Sequence, residues 1–174
     1  MIRIRLKIGA WQKLDGFKTI DIDPKLKPDY VASVEKLPIK SNSCDWVLCD
    51  SVLEHCNNPD VAFKEMLRVC KRHGMVEIIM PHFSAASLWH DLQHKRGASY
   101  FMFDETGYTN KEFTVFSKRI MIEGRNIYGE NKNTRWHHIF MAAEWIANRW
   151  PRFYEYWLCN IIRADSVHFK VKKL

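Results

Sequence analysis

"KIGAWQKLDGFKTIDID", from Lys7 to Asp23, reads as a buried strand, a turn, and a second strand that ends in an acid. Upstream, Ile2 to Ile8 alternates basic and apolar residues and then turns apolar, which is a strand pattern. Phe17 to Ile22, "FKTIDI", supplies the second strand. Only seven residues lie between Gly9 and Phe17. A parallel crossover takes about a dozen or more, usually with a helix. The stretch therefore predicts a first crossover whose helix is short or missing. Gly9 is its one early glycine, and Trp11 stands where backbone would pass close to a ligand.

The rest of the chain extends the same pattern. "PDYVASV" (Pro28 to Val34) gives a short third strand, and "CDWVLCD" (Cys44 to Asp50) suits a strand buried on both faces. "NNPDVAFKEMLRVCKRHG" predicts a helix, with Asn58 as cap, Pro59 at its first position and Gly74 as its close. "MVEIIMP" (Met75 to Pro81) is the next strand. After Pro81 the pattern loosens into loop and short helices, rich in His and aromatics. "FTVFSKRIMIEG" then suits a strand, "HHIFMAAEWIANRWPRFYEYW" a helix broken near Pro151, and "SVHFKVKKL" a last strand. Strands alternating with helices predict an α/β, Rossmann-like, mostly parallel sheet. With no repeat and no low-complexity linker, residues 1–174 are expected to form one domain.

Composition narrows the setting. No apolar stretch approaches the ~18 residues of a membrane span, and the amino-terminal alternation is not that of a signal peptide. The five cysteines form no C-x-x-C pair, so they read as buried thiols of a reducing, cytoplasmic compartment. The formal charge is +7. Residues 1–110 hold 15 Lys/Arg against 14 Asp/Glu, and residues 111–174 hold 12 against 6. The basic excess thus falls in the aromatic-rich last third. It reads first as a solvated face over an aromatic core. Peripheral membrane contact stays open for the amphipathic tail, while nucleic acid is not expected as a partner.

In order, these pieces resemble the class I S-adenosylmethionine-dependent methyltransferases, and more narrowly the small group with a shortened first crossover. Four parts carry the resemblance: "TIDIDP", "VEKLPIKSNSCDWV", "SVLEH" and "VCKRHGMVEIIMP". It covers residues 4–82 well and the remainder loosely. It implies a seven-stranded sheet, S-adenosylmethionine as cofactor, and methyl transfer to a small molecule such as a sugar or metabolite hydroxyl. Residues 1–82 would then be the cofactor-binding half and 83–174 the substrate side. A ribose needs a carboxylate at the end of strand two, which Asp21 supplies, with Asp23 next in line if the register shifts. The resemblance places the adenine against Ser33, where the family usually has Asp, and Val34. It places the methionine part over Gly9 and near Asp50 and Ser51. Where the family shows G-x-G, this chain shows Gly9-Ala10-Trp11.

On the substrate side stand His82, His90, Asp91 and His94, after the fifth strand and on the carboxyl-end side of the sheet. "DLQHKR" (Asp91 to Arg96) resembles a D-P-T-H-K-R segment of that methyltransferase group. His82, Asp91 and His94 are the catalytic candidates, because methylation of a hydroxyl calls for a base. Asp91 and His94 read first as a capped turn with a salt bridge to Lys95 or Arg96. The spacing has no defined metal signature, and no metal is expected. His55 either lines the pocket or caps the next helix. Two alternatives to an enzyme remain at this point. One is a non-catalytic binding or scaffold protein of the same fold. The other is a subunit that needs a partner, another copy of itself included, to complete its pocket.

Overall fold

The computed structural model describes residues 4–104, 112–122 and 137–174. Seven strands form one sheet: β1 (Arg5–Ile8), β2 (Lys18–Asp21), β3 (Tyr30–Val31), β4 (Cys44–Asp50), β5 (Cys70–Pro81), β6 (Phe113–Met121) and β7 (Ser166–Lys173). Their order is β3-β2-β1-β4-β5-β7-β6, and β7 alone runs antiparallel to its neighbours. Among the described residues three α-helices accompany it: α1 (Pro59–Val69), α2 (His137–Arg149) and α3 (Pro151–Tyr156).

The connection from β1 to β2 is residues 9–17, and it holds no helix. The expected reduction of the first crossover is therefore what the chain does. Register then makes the two faces of the sheet unlike. One cross-strand row reads Leu6, Val47, Val76, Val171 and Val115. This face packs on α1 through Ala62, Phe63, Met66 and Leu67. The next row points the other way and reads Thr19, Lys7, Leu48, Glu77, Lys170 and Ser117. Thr19, Lys7 and Glu77 are buried there, and Lys170 pairs with Glu77 at 3.6 Å. β4 is thus buried on both faces as expected, but its second face has polar rather than apolar neighbours.

α1 begins as predicted, with the Asn58 side chain accepting from the Val61 amide and Pro59 in the first turn. It ends at Val69, five residues before Gly74. Cys70 already pairs with Cys44, the register shifts before Trp46↔Met75, and His73 takes a positive φ of 62°. A bulge at the start of β5, not a helix cap, uses those residues. The break at Pro151 separates α2 from α3 as expected. α2 lies along the edge strand β6. There Asn148 Oδ1 accepts from the Ile120 amide, and its Nδ2 donates to the Ile120 carbonyl, both at 2.8 Å. That is strand-like pairing supplied by a side chain along an edge strand. The expected strand residues 2–3 and 123–124 lie outside the described residues.

Candidate active site

A cavity of about 420 Å³ opens beyond the carboxyl ends of β1, β2 and β4. Gly9, Asp21, Ser33, Val34 and Ser51 all line it, and so do Trp11, His55 and Gln93. Five of the six expected cofactor contacts are thereby brought together from four separate stretches of chain. Asp50 is the exception. It is 4% exposed, does not line the cavity, and accepts from the Ser51 hydroxyl at 3.1 Å.

Local chemistry explains each placement. Gly9 has φ +93°, and a Cβ there would stand 2.9 Å from Val52 Cγ2 and 3.0 Å from the Asp50 carbonyl oxygen. Only glycine lets this turn fold so close to β4. Asp21 lies across from it. Its Oδ2 accepts from the Ala10 amide at 2.8 Å and its Oδ1 from the Asp23 amide at 2.9 Å. The carboxylate thus holds the short loop in place with one lone pair of each oxygen and keeps the others for a ligand. Asp23 also lines the cavity, but its Oδ1 accepts from the Lys25 amide as a helix cap. Ser33 Oγ accepts from the Glu35 amide at 3.2 Å, beside the buried Val34. Ser51 holds a left-handed φ of 56°, strain of the kind found at ligand sites.

Trp11 does not block the cavity. Its ring sits over Lys7, with Nζ 5.0 Å from the ring centroid, and that ammonium donates to the Gly9 carbonyl at 2.7 Å. Lys7 is fully buried, and burial lowers its pKa, with Asp50, Cys49 and Asp21 acting in the opposite direction. Where a crossover helix would bring a partial positive charge to the loop, this chain sets a lysine beneath it. In the sequence Lys7 is one basic residue of a strand alternation. Nothing in the sequence separates it from Arg3 or Arg5.

The walls opposite come from Glu35 and from Ser51, Val52 and His55 of "SVLEH". Glu65 accepts from the Leu37 amide, while Arg68 donates to the Leu37 and Ile39 carbonyls, so α1 pins the irregular Leu37 stretch. "DLQHKR" docks on "SVLEH". The Lys95 amide donates to the Glu54 carbonyl, Lys95 Nζ to Asn57, and Arg96 to the carbonyls of Leu53 and Cys56. The expected salt bridge from Asp91 to Lys95 or Arg96 gives way to these contacts. Asp91 accepts from the Gln93 amide instead and lies 3.9 Å from His94 Nε2. His94 stacks edge-on against His55, 4.6 Å between centroids.

Beside them Glu54 is fully buried, and no other described residue gives its carboxylate a hydrogen bond. Burial pushes its pKa up to about 7, its own amide pulling the other way and Asp50 and Asp91 adding lesser upward pushes. Burial, then His94, lower the pKa of His55, while Asp91 and the Gln93 backbone oppose them.

His82 stands apart from the cavity. It is fully buried, with Nδ1 2.7 Å from the Ser84 hydroxyl and Nε2 3.2 Å from Glu155 Oε1. Glu155 also accepts from the Ser99 hydroxyl and the Tyr100 amide. Burial would raise the Glu155 pKa, but His82 and these donors hold it below its ordinary value. The geometry gives His82 the work of tying the end of β5 to α3.

Residues 15–78 match the methyltransferase domain family. The solved structures that resemble the chain share its architecture. One is the methyltransferase bound by the Trm112 activator of Haloferax volcanii. It is 13% identical, with 99% of this chain and 82% of that one covered, at TM-score 0.60. A second is an S-adenosylmethionine-dependent methyltransferase of Archaeoglobus fulgidus, 14% identical, covering 99% and 86% at TM-score 0.54. A third, the [4+2]-cyclase SpnF, is 15% identical and covers 98% and 74% at TM-score 0.59. No curated protein matches the sequence. The fold is that of the class I methyltransferases. The family match implies S-adenosylmethionine as cofactor. The cavity suits that group, since a free pair of carboxylate lone pairs, a glycine cradle that a Cβ would fill, and an apolar wall at Val34, Ala32 and Leu26 are what a ribose, a chain and an adenine require. A methyltransferase fold also accommodates a cyclase, so the reaction has to be argued from the site.

Proposed function

We propose that this chain is a cytoplasmic S-adenosylmethionine-dependent methyltransferase acting on the hydroxyl of a small molecule, with residues 1–174 as one catalytic unit. The observation that carries the reading is the convergence of Gly9, Asp21, Ser33, Val34 and Ser51 on one cavity. Asp21 would hold the ribose, Ser33 and Val34 the adenine, and the Gly9 turn over Lys7 the methionine end. S-adenosylmethionine supplies a methyl group already activated on sulfur, which leaves as the acceptor oxygen bonds to it and sheds its proton. What the protein adds is alignment, which is worth most when donor and acceptor are both held. His55, His94 and Asp91 cluster beside the cavity, where a proton acceptor is needed. His82 belongs to the frame of the site. No helix among the described residues is long and apolar enough to cross a membrane.

Calorimetric titration with S-adenosylmethionine and its demethylated product tests this. Micromolar binding by the intact chain, weakened at least tenfold in Asp21→Ala and Asp21→Asn, is expected. A folded chain that binds neither ligand overturns it and favours the scaffold reading.

A further inference from the structure

Three atoms beside the cavity share an unusual state. Both carboxylate oxygens of Glu54 and the Nδ1 of His55 are buried, and no other described residue gives any of them a hydrogen bond. Native interiors leave few such atoms, and each one needs an explanation. His94 completes the set, since one ligand atom from each of Glu54, His55 and His94 lies within 4.8 Å of the others. The ring of His94 is already oriented. Its Nδ1 lies 3.2 Å from the Leu88 carbonyl, so that nitrogen carries the proton and Nε2 presents a lone pair. Imidazoles that bind metals are held in this way, with the second nitrogen donating to a carbonyl or carboxylate. Asp91, 3.9 Å from His94 Nε2, adds a further negative charge at the rim.

We propose that Glu54, His55 and His94 form a binding site for a divalent transition metal. Two imidazoles and one carboxylate are the donors of open zinc and non-haem iron sites, and nitrogen donors favour such ions over magnesium or calcium. Bonds of about 2.1 Å put tetrahedral donors about 3.4 Å apart. The 4.8 Å span therefore closes by side-chain rotation when the ion enters. Glu54 is fixed by its burial. His94 retains 12% side-chain exposure and leaves a path in.

The same ion fits the methyl-transfer reading, on which its role rests. His55 belongs both to the cluster and to the cavity wall. An acceptor hydroxyl bound at the open coordination position loses its proton to Asp91 or to water more readily. The oxygen then forms its bond to the methyl carbon as the carbon–sulfur bond breaks. The acceptor class that follows is one whose hydroxyl can bind a metal.

The test uses the intact chain after chelator treatment and dialysis. Co²⁺ is titrated in while its visible ligand-field absorption is recorded, Zn²⁺ is used in competition, and binding of the demethylated cofactor is measured in parallel. One equivalent of Co²⁺, displaced by Zn²⁺, is expected. Glu54→Gln and His94→Ala each weaken binding at least a hundredfold, while circular dichroism and cofactor-product binding stay as in the parent. Absence of saturable one-to-one binding, or binding that both variants leave unchanged, overturns the metal site. Cofactor binding without metal binding would remove this inference and leave the methyl-transfer reading standing. Metal binding without cofactor binding would do the reverse.

Discussion

Two clusters in this molecule pair a histidine with a glutamate, one partner of each pair fully buried, and they differ in what surrounds them. His82 and Glu155 are joined to Ser84, Ser99 and the Tyr100 amide, and both ring nitrogens of His82 are engaged. Glu54 is buried as deeply as His82 and His55 is half-buried beside it, yet three of their buried polar atoms have no hydrogen-bond partner among the described residues. Burial of ionisable groups marks a special place in both. Satisfaction separates them: the closed network holds the frame together, and the open one has capacity left for a ligand.

The contrast can be broken most sharply at Glu155. Glu155→Ala removes the partner of a buried imidazole and is expected to lower stability by about 3–5 kcal/mol, read by urea unfolding. A loss below about 1 kcal/mol would mean that the network does not hold β5 to α3. Gly9→Ala comes next. The positive φ costs about 1–2 kcal/mol before any clash with the Asp50 carbonyl, and cofactor-product binding should fall at least tenfold. Unchanged calorimetric affinity would detach the Gly9 turn from the site.

A third shielded imidazole, His168, stands between the two clusters in kind. Its Nε2 is 3.0 Å from the Ser166 hydroxyl. Burial, then Arg119 and Lys170, depress its pKa to about 4. The folded state therefore takes up this proton later than the unfolded chain does. Its contribution to stability is complete above about pH 6.5 and is lost as pH falls toward 4. After allowance for solvent screening, about 1–2 kcal/mol should disappear over that window. The loss should vanish in His168→Gln, as followed by thermal unfolding against pH. The smallest effect is expected at Glu54. In metal-free protein, Glu54→Gln removes a charge that has no partner, so stability at pH 8 should change by less than about 1 kcal/mol or rise. A loss as large as that of Glu155→Ala would show that Glu54 belongs to a closed network after all.

The sequence was most readable where the signal is periodic or rests on one residue type. Alternation marked the strands, and Asn58 with Pro59 marked the start of α1. The acid ending β2 and the single glycine marked one wall of the cavity. The end of α1 was misread because Cys70 and its neighbours continue a helical spacing. Pairing with Cys44 and a bulge at His73 outweigh that local preference. His82 sits at the carboxyl end of β5, as a catalytic residue would. It is turned inward by Glu155, a partner 73 positions away that no local pattern announces. The orphaned cluster was hidden for the same reason. Glu54 and His55 are adjacent, but His94 reaches them only because Lys95 and Arg96 dock its segment on theirs.

The short link between β1 and β2 bears also on how the chain finds its shape. Paired positions across these two strands, such as Leu6 and Lys18, are 12 residues apart, which for a parallel pair is close to hairpin range. Closing so small a loop costs little chain entropy, and contacts of low separation form early. The β5–β7 pair, which joins residues such as Met75 and Lys172, must wait for most of the chain. Ile20→Val should accordingly slow refolding, whereas Val171→Ala should mainly hasten unfolding. In that order of events the turn at Gly9 is made before the sheet that will support it is complete.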